Sequence, residues 1–288
     1  MTLLEFWEAR LERETESTAW NTQKKLRSHL NKVMKFEQDV ELTDIDLDWL
    51  HRFENFMRQT GNKQNTIAST MSSLKSTIQQ AVDRDILPKN PFKKYKIRKS
   101  QTFERAIMIE DVKNIEKNAD RNVFVDAWLF SFYCAGIRIG DICRLYKEQV
   151  IGGKKIEYKM HKNGKRVSLP LNAKARAIAD KWIEEHDGAR LFPLIDAHLV
   201  RDEEGRQIKR ATSRGNAVFK GVAKELELPH MSWHAARAAF ATYMVRQGTD
   251  IDTIRQLLKH SSIVTTQEYL ASRSDDQLGD IVSDAMDF

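Results

Sequence analysis

Residues 234–247 read HAARAAFATYMVRQ, and this stretch decides how the second half of the chain is interpreted. His234 and Arg237 stand three positions apart, so on a helix they share one face. An imidazole and a guanidinium on one face can act together on a single anionic group. Taken alone, the pair also has an ordinary explanation, because a His–Arg pair at this spacing is common on helix surfaces.

Apolar residues recur at helical spacing through most of the remaining sequence, which predicts a mainly helical protein. One segment differs, because Ile156-Glu157-Tyr158 and Val167-Ser168-Leu169 alternate around an Asn163-Gly164 pair, a strong hairpin signal. The fold class is therefore mainly α with a small antiparallel β-sheet (α+β). Helices are predicted over 3–11, 17–38, 47–57, 64–84, 112–118, 123–135, 173–185, 214–226, 234–247, 251–258 and 263–270.

The composition excludes several classes of protein. The chain has 288 residues, 41% hydrophobic and 31% charged, which is typical of soluble globular proteins and allows two domains. No apolar run approaches the length of a membrane-spanning helix, and the acidic, amphipathic start is neither a signal nor a transit peptide. Two cysteines, Cys134 and Cys143, cannot build a disulfide framework or a four-ligand zinc site. We expect a cytoplasmic protein with no metal and no cofactor.

Positive charge is concentrated in one part of the chain. The formal net charge is only +6, but residues 55–100 hold ten Lys and Arg against two Asp. The segment 89–99, KNPFKKYKIRK, has no acidic residue and follows a proline break, as expected of a linker along a phosphate backbone. A solvated segment without a partner explains it equally well. The candidate DNA-binding residues are Lys75, Lys93, Lys94, Lys96, Arg98 and Lys99.

Common catalytic motifs are absent from the sequence. There is no glycine-rich phosphate loop, no HExxH zinc motif and no GxSxG nucleophile elbow. What remains is an ordered set of cations and one tyrosine: Arg138, Lys162, His234, Arg237, His260 and Tyr269. Singly, each has an ordinary role, such as a helix-capping arginine, an edge lysine or a core tyrosine. Their joint occurrence in this order favours a catalytic site.

With these residues the chain resembles the tyrosine recombinases, also called phage-type integrases. The resemblance implies a two-domain clamp around duplex DNA, with a helical core-binding domain at 1–90, a basic linker at 91–105 and a catalytic domain at 106–288. Tyr269 would attack the scissile phosphate and form a 3′-phosphotyrosyl link, so that neither ATP nor a metal is needed. Arg138 and Arg237 would hold the nonbridging oxygens of the phosphate.

The resemblance also implies roles for the other site residues. His234 would do acid–base work, since the tyrosine hydroxyl needs a neighbour to take its proton. His260 would align the phosphate. Lys162 would protonate the leaving 5′ oxygen, with Lys165 as the second choice. Asp141 would orient Arg138 through a salt bridge rather than react.

The sequence departs from the family pattern at three positions. Lys259 stands where the family usually has glycine, which suggests a less close approach there, and Ala236 and Ala238 replace the usual Leu and second His. None of these changes removes a reacting group.

The expected partner is a double-stranded recombination site bound by a homo-tetramer, and the apolar tail 271–288 could dock into a neighbouring protomer or pack on its own domain. Integration or excision of a mobile element is the favoured role, with DNA inversion and chromosome-dimer resolution as alternatives. Type IB topoisomerases and telomere resolvases use the same residues. A helical DNA-binding regulator is the non-enzymatic alternative.

Overall fold

The computed structural model describes residues 1–15, 18, 20–100 and 107–259. The chain forms two compact units, Met1–Gln101 and Thr102–Phe288. Both units are helical, and a single small antiparallel sheet is present among the described residues, so the predicted fold class is confirmed. Within the same residues, no helix combines the length and hydrophobicity that a membrane span requires.

In the described part of the first unit, four α-helices surround an aromatic core. A capping box starts the first helix: Thr2 Oγ1 accepts from the Glu5 amide at 3.2 Å, and the Glu5 carboxylate accepts from the Thr2 amide at 2.8 Å. Trp7, Trp49 and Phe53 are fully buried at the centre of this unit. The helices are α1 (Leu3–Arg13), α2 (Trp20–Phe36), α3 (Leu47–Gln59) and α4 (Gln64–Val82).

Residues 91–100, which we call the basic strap, pack against the first unit. Phe92 and Tyr95 belong to its hydrophobic core, and the Tyr95 hydroxyl donates to Glu54 of α3. Asn65 of α4 exchanges two 3.0 Å hydrogen bonds with the Ser100 backbone. The sequence predicts a linker from residue 91, whereas this first part is held in place because its two aromatic residues enter the core.

The second unit is built around one buried helix, α6, whose sequence VFVDAWLFSFY is apolar on nearly every side. Its one acidic residue, Asp126, is fully buried and accepts from Lys181 Nζ at 2.9 Å and Trp182 Nε1 at 3.0 Å. Helices α8, α9 and α10 pack on α6. Within residues 107–259, the α-helices of this unit are α5 (Ile109–Asn118), α6 (Val123–Tyr133), α7 (Ile139–Ile142), α8 (Ala173–Glu184), α9 (Arg201–Glu225), α10 (Trp233–Arg246) and α11 (Ile251–Leu257); the predicted helix 263–270 lies outside the described residues.

The sheet has the order β1–β2–β3, with strands β1 (Val150–Ile151), β2 (Lys155–Lys159) and β3 (Arg166–Pro170). The predicted hairpin is β2–β3, in antiparallel register from Lys155 opposite Pro170 to Lys159 opposite Arg166. Residues 160–165 connect the two strands and carry the Asn-Gly pair. The sequence does not predict the short strand β1, because two residues are too few to show alternation.

Helix α9 begins earlier than its apolar pattern predicts. The pattern predicts a helix over 214–226, but the helix runs from Arg201 to Glu225. Its first half is almost entirely polar, so the helical period is invisible there. Ile208 and Ala211 nevertheless bury themselves against Cys143 and Ile195, and this packing extends the helix.

Two glycines of α9 should respond in opposite ways to substitution by alanine. A Cβ at Gly215 would lie 2.6 Å from Trp233 Nε1, whereas a Cβ at the exposed Gly221 would meet nothing within 4 Å. We expect Gly215→Ala to lower the free energy of unfolding by about 1–3 kcal/mol through overpacking. Gly221→Ala should raise it by up to about 1 kcal/mol, because alanine favours the helix. Urea unfolding measures the free energy of unfolding of both variants. Equal effects of the two substitutions would contradict the close contact between Gly215 and Trp233.

Candidate active site

Arg237 is buried on α10, with 4% of the residue exposed. Its Nη1 donates to the Gly136 carbonyl at 2.6 Å, and its Nη2 donates to the Leu258 carbonyl. Gly136 follows α6 and Leu258 follows α11, so one side chain joins three separate segments. A guanidinium suits this position because its donors form a rigid planar fork.

The turn after α6 brings Arg138 close to Arg237. Ala135 and Gly136 have consecutive positive φ angles of 57° and 68°, which reverse the chain. A Cβ at Gly136 would lie only 2.8 Å from the Arg237 Cα, so the contact with α10 requires glycine here. Arg138, two residues later, is the extended N-cap residue of α7.

Arg138 carries a buried donor that lacks a hydrogen-bond partner. Its Nη1 is inaccessible to solvent and makes no hydrogen bond to any residue that the structure describes. Leaving a buried polar group unpaired costs about 1–3 kcal/mol, more for a charged group. An anionic oxygen is the kind of ligand that would satisfy it.

Asp141 accepts a hydrogen bond from the loop between β2 and β3 rather than forming a salt bridge with Arg138. The sequence predicts a salt bridge with Arg138, but none within 4.0 Å joins the two residues, both of which are described. Asp141 is buried, and its Oδ1 accepts from the His161 amide at 2.9 Å. His161 is adjacent to Lys162, so Asp141 ties α7 to the loop that carries this lysine. Lys162 itself is exposed.

His234 lies in the first turn of α10 and is surrounded by positive charge. The residue keeps a solvent-exposed edge, yet desolvation is the largest effect and lowers the pKa of the imidazole below its usual value of about 6.5. Three cations, Arg237, Arg138 and Lys162, lower this pKa further. The three cations therefore lie within electrostatic range of His234, and the lowered pKa favours the neutral imidazole near pH 7.

Tyr158 is a site neighbour that the sequence pattern does not single out. It follows the buried Ile156 on the inward face of β2 and packs against the core of the second unit. Burial raises the pKa of its hydroxyl, the Asp141 carboxylate raises it further, and Arg237 and Arg138 oppose the rise. The alternation of apolar residues in β2 predicts that Tyr158 points inward. It does not predict that the side chain lies beside the candidate active site.

His260 and Tyr269 lie outside the described residues, as does the tail 271–288. The last described residue, Lys259, has a positive φ of 52°, a conformation that favours glycine. The Lys259 backbone is therefore strained, and this is the position at which the resemblance leads us to expect glycine.

The candidate DNA-binding residues all lie on the first unit. Lys75 is exposed on α4, and the five cations of the basic strap are exposed as well: Lys93, Lys94, Lys96, Arg98 and Lys99. Tyr95 is buried between them, so the strap is anchored to the core while its cations face solvent.

A second cationic surface lies on α2 and was not among the predicted binding residues. This helix carries five Lys and Arg and no acidic residue, and within the described part of the chain Lys25, Arg27 and Lys35 form no ion pair. A hydrogen bond of 2.8 Å between His29 Nδ1 and Ser73 Oγ fixes α2 to α4. Residues 1–54 as a whole have more acidic than basic residues, because the segments on either side of α2 are acidic. The positive charge of α2 becomes visible only when charge is counted for each helix separately.

Sequence comparisons agree with this arrangement. The sequence model of the Phage integrase SAM-like domain matches residues 2–97, and that of the Phage integrase family matches residues 105–275, more than half of the chain. The chain belongs to the phage integrase family. This family, the tyrosine recombinases, catalyses DNA strand cleavage and rejoining, so the protein is an enzyme rather than a helical DNA-binding regulator.

Curated relatives of this recombinase carry the same family name. Tyrosine recombinase XerC of Serratia marcescens is 25% identical over 255 residues, which cover 86% of this chain and 83% of the relative. Tyrosine recombinase XerD of Vibrio vulnificus is 25% identical over 254 residues, covering 85% and 83%.

Solved structures share the fold of the recombinase. The Tn1549 transposon integrase in complex with transposon right end DNA has a TM-score of 0.73 and 16% identity, covering 99% of both chains. A lambda integrase dimer bound to a COC′ core site has a TM-score of 0.68 and 18% identity, covering 92% of this chain and 97% of that chain.

The contact between Gly136 and Arg237 can be tested with a matched pair of glycines. Gly136 and Gly248 both have positive φ, but nothing lies within 4 Å of a Cβ at Gly248. We expect Gly248→Ala to cost about 1–2 kcal/mol of unfolding free energy from backbone strain alone. Gly136→Ala should cost about 1–3 kcal/mol more, because Arg237 must move. Urea unfolding measures both; similar losses would show that the close approach carries no energy.

Proposed function

We propose that this recombinase acts at specific DNA sites through a 3′-phosphotyrosyl intermediate, with Tyr269 as the nucleophile. The Tyr269 oxygen attacks the scissile phosphorus, and the bond from phosphorus to the 5′ oxygen breaks. The ester to the 3′ strand conserves the bond energy, so attack by a partner strand's 5′ hydroxyl reverses the step and exchanges strands. Because the bond energy is conserved, the proposed reaction requires no nucleotide cofactor.

The unpaired buried donor of Arg138 is the observation that supports this function most strongly. Charge accumulates on the nonbridging oxygens of the phosphate in the transition state, and fixed donors aimed at these oxygens lower the barrier. Arg138 supplies an Nη1 that no described residue satisfies, and Arg237 is held beside it by two carbonyls. Removal of one such donor typically lowers the rate of the catalysed step by roughly 100- to 1,000-fold.

Proton transfer is proposed for His234 and Lys162. His234 takes the proton of the Tyr269 hydroxyl, and its lowered pKa supports this role because the imidazole is neutral near pH 7. Lys162 gives a proton to the leaving 5′ oxygen, with Lys165 of the same loop as the second choice. The bond from Asp141 to the His161 amide supports a fixed position for this loop. His260 is proposed to align the phosphate.

The first unit is proposed to bind the DNA backbone through the basic strap, Lys75 and the cationic face of α2. Counterion release from the neutralised phosphates provides most of this sequence-independent affinity. We propose further that the active form on DNA is a homo-tetramer, since recombination joins two duplexes with two cleavages in each. Docking of the tail 271–288 into a neighbouring protomer is part of this proposal.

Integration or excision of a mobile element is the role that we propose, and the XerC and XerD relatives favour chromosome-dimer resolution as the second candidate. Amplification across the DNA that flanks the coding sequence distinguishes them. A circular junction that appears only with the active gene supports excision, whereas recombination at one chromosomal site without a circle supports dimer resolution.

The phosphotyrosyl step can be tested with a nicked substrate. DNA selected by the protein from a random pool is nicked beside the cleavage position, so that the released strand end diffuses away and the covalent adduct accumulates. We expect a protein–DNA adduct that survives denaturing electrophoresis with the wild-type protein and none with Tyr269→Phe. Tyr243→Phe, a change of the same chemistry on α10, should leave the adduct intact. An adduct from Tyr269→Phe would contradict the assignment.

The role of the basic strap can be tested by the salt dependence of DNA binding. Neutralising Lys93, Lys94 and Lys96 together should reduce the slope of log K against log salt by about 0.9 for each phosphate that these lysines neutralise. A control with the same change of net charge neutralises the exposed Lys113, Lys117 and Lys224 of the second unit, and it should change the slope less. Equal slopes for wild type and the strap variant would refute binding of DNA by the strap.

A further inference from the structure

Three charged residues that the proposed reaction does not use form a cluster between the end of α7 and the start of α9. Arg144 follows α7, Glu204 stands in the first turn of α9, and Arg190 lies in the segment between α8 and α9; we call them the Arg–Glu–Arg cluster. Their side chains are 23%, 18% and 6% exposed, respectively, so these charges are largely removed from water.

Arg144 connects α7 to α9 through every part of its guanidinium. Nη1 donates to the Gly140 carbonyl inside α7 at 2.7 Å. Nε and Nη2 both approach Glu204 Oε2, at 2.9 and 2.6 Å. The first half of α9, which the sequence does not reveal as a helix, is therefore needed to bring Glu204 to this position.

Arg190 completes the cluster through the other oxygen of the same carboxylate. Its Nη2 lies 3.5 Å from Glu204 Oε1, and its Nη1 donates to the Arg144 carbonyl at 2.9 Å. The guanidinium also lies 4.3 Å from the centre of the Tyr146 ring. Arg190 thus fixes the backbone of Arg144 while Glu204 fixes its side chain.

Helix α7 depends on such outside support. It has only four residues, and a helix of this length is not stable by itself because nucleation is unfavourable. The Arg138 carbonyl accepts from the Asp141 and Ile142 amides, both at 2.8 Å, so the Arg138 backbone moves with this turn. A shift of α7 is therefore expected to move the Arg138 backbone, from which the guanidinium extends.

We propose that Arg144 and Glu204 are positioning residues that hold α7, and through it Arg138, in the geometry required for phosphate cleavage. The inference rests on the catalytic role proposed for Arg138. The cluster residues hydrogen-bond to one another and to the backbone, so the proposed effect is transmitted through α7 rather than through a contact with DNA. Since a misplacement of about 1 Å can cost about 100-fold in rate, a modest loosening of α7 should be visible in catalysis.

The conservative variant Arg144→Lys separates this role from folding. Lysine keeps the charge but has no planar fork, so it cannot bond to Gly140 and Glu204 in the same geometry. We expect the single-turnover rate of adduct formation to fall roughly 10- to 100-fold. DNA affinity should stay within about twofold, since the same phosphates are neutralised as in the wild type. Glu204→Asp, which keeps the charge but shortens its reach, should act in the same direction.

Glu203→Gln is the matched control on the same turn of α9. Glu203 pairs with Arg206 at 2.8 Å, and no hydrogen bond or ion pair among the described residues joins its side chain to α7. The adduct rate of this variant should equal that of the wild type. Urea unfolding of each variant reports whether the fold is retained.

A double-mutant cycle with Arg138→Lys decides whether Arg144 acts through Arg138. We expect each single change to slow adduct formation and the double change to be little slower than Arg138→Lys alone. Equal slowing by Arg144→Lys in both backgrounds, or no slowing at all, would overturn the positioning role. If Arg138→Lys itself forms the adduct at the wild-type rate, the proposed catalytic role fails, and that outcome is distinct from the first.

Discussion

The buried guanidinium of Arg237 is the interaction on which the active site depends. Its two hydrogen bonds, to the carbonyls of Gly136 and Leu258, join the turn after α6, the helix α10 and the end of α11. The close packing of Gly136 against Arg237 then constrains the start of the segment that leads to Arg138. A residue expected to bind the phosphate thus also assembles the surface on which the phosphate would lie.

The same assembly gathers positive charge. Arg237, Arg138 and Lys162 each lower the pKa of His234, so all three lie within electrostatic range of its imidazole. In the proposed reaction, the negative charge of a DNA phosphate would lie among these cations and accept from the Arg138 Nη1 that no described residue satisfies.

The sequence groups the candidate site residues better than it reveals the contacts that support them. Arg138, His234 and Arg237 are grouped by residue type and order, and the structure brings them together with Lys162. The partner of Asp141 could not be predicted, because a backbone amide leaves no trace in the sequence. The first half of α9 could not be predicted, because its many charged residues leave no helical period of apolar positions. The basic strap resembles a linker in the sequence, because two aromatic residues among many cations are a weak indication of a buried segment.

In the proposed reaction, the two guanidiniums stabilise negative charge on the nonbridging oxygens of the scissile phosphate. A nicked substrate in which that phosphate is a neutral methylphosphonate tests this role most directly, since one charged oxygen is removed. On the ordinary phosphate, Arg138→Ala should slow adduct formation by roughly 100- to 1,000-fold. On the methylphosphonate, we expect a much smaller difference between Arg138→Ala and wild type. An equal reduction on both substrates would contradict the proposed role of Arg138.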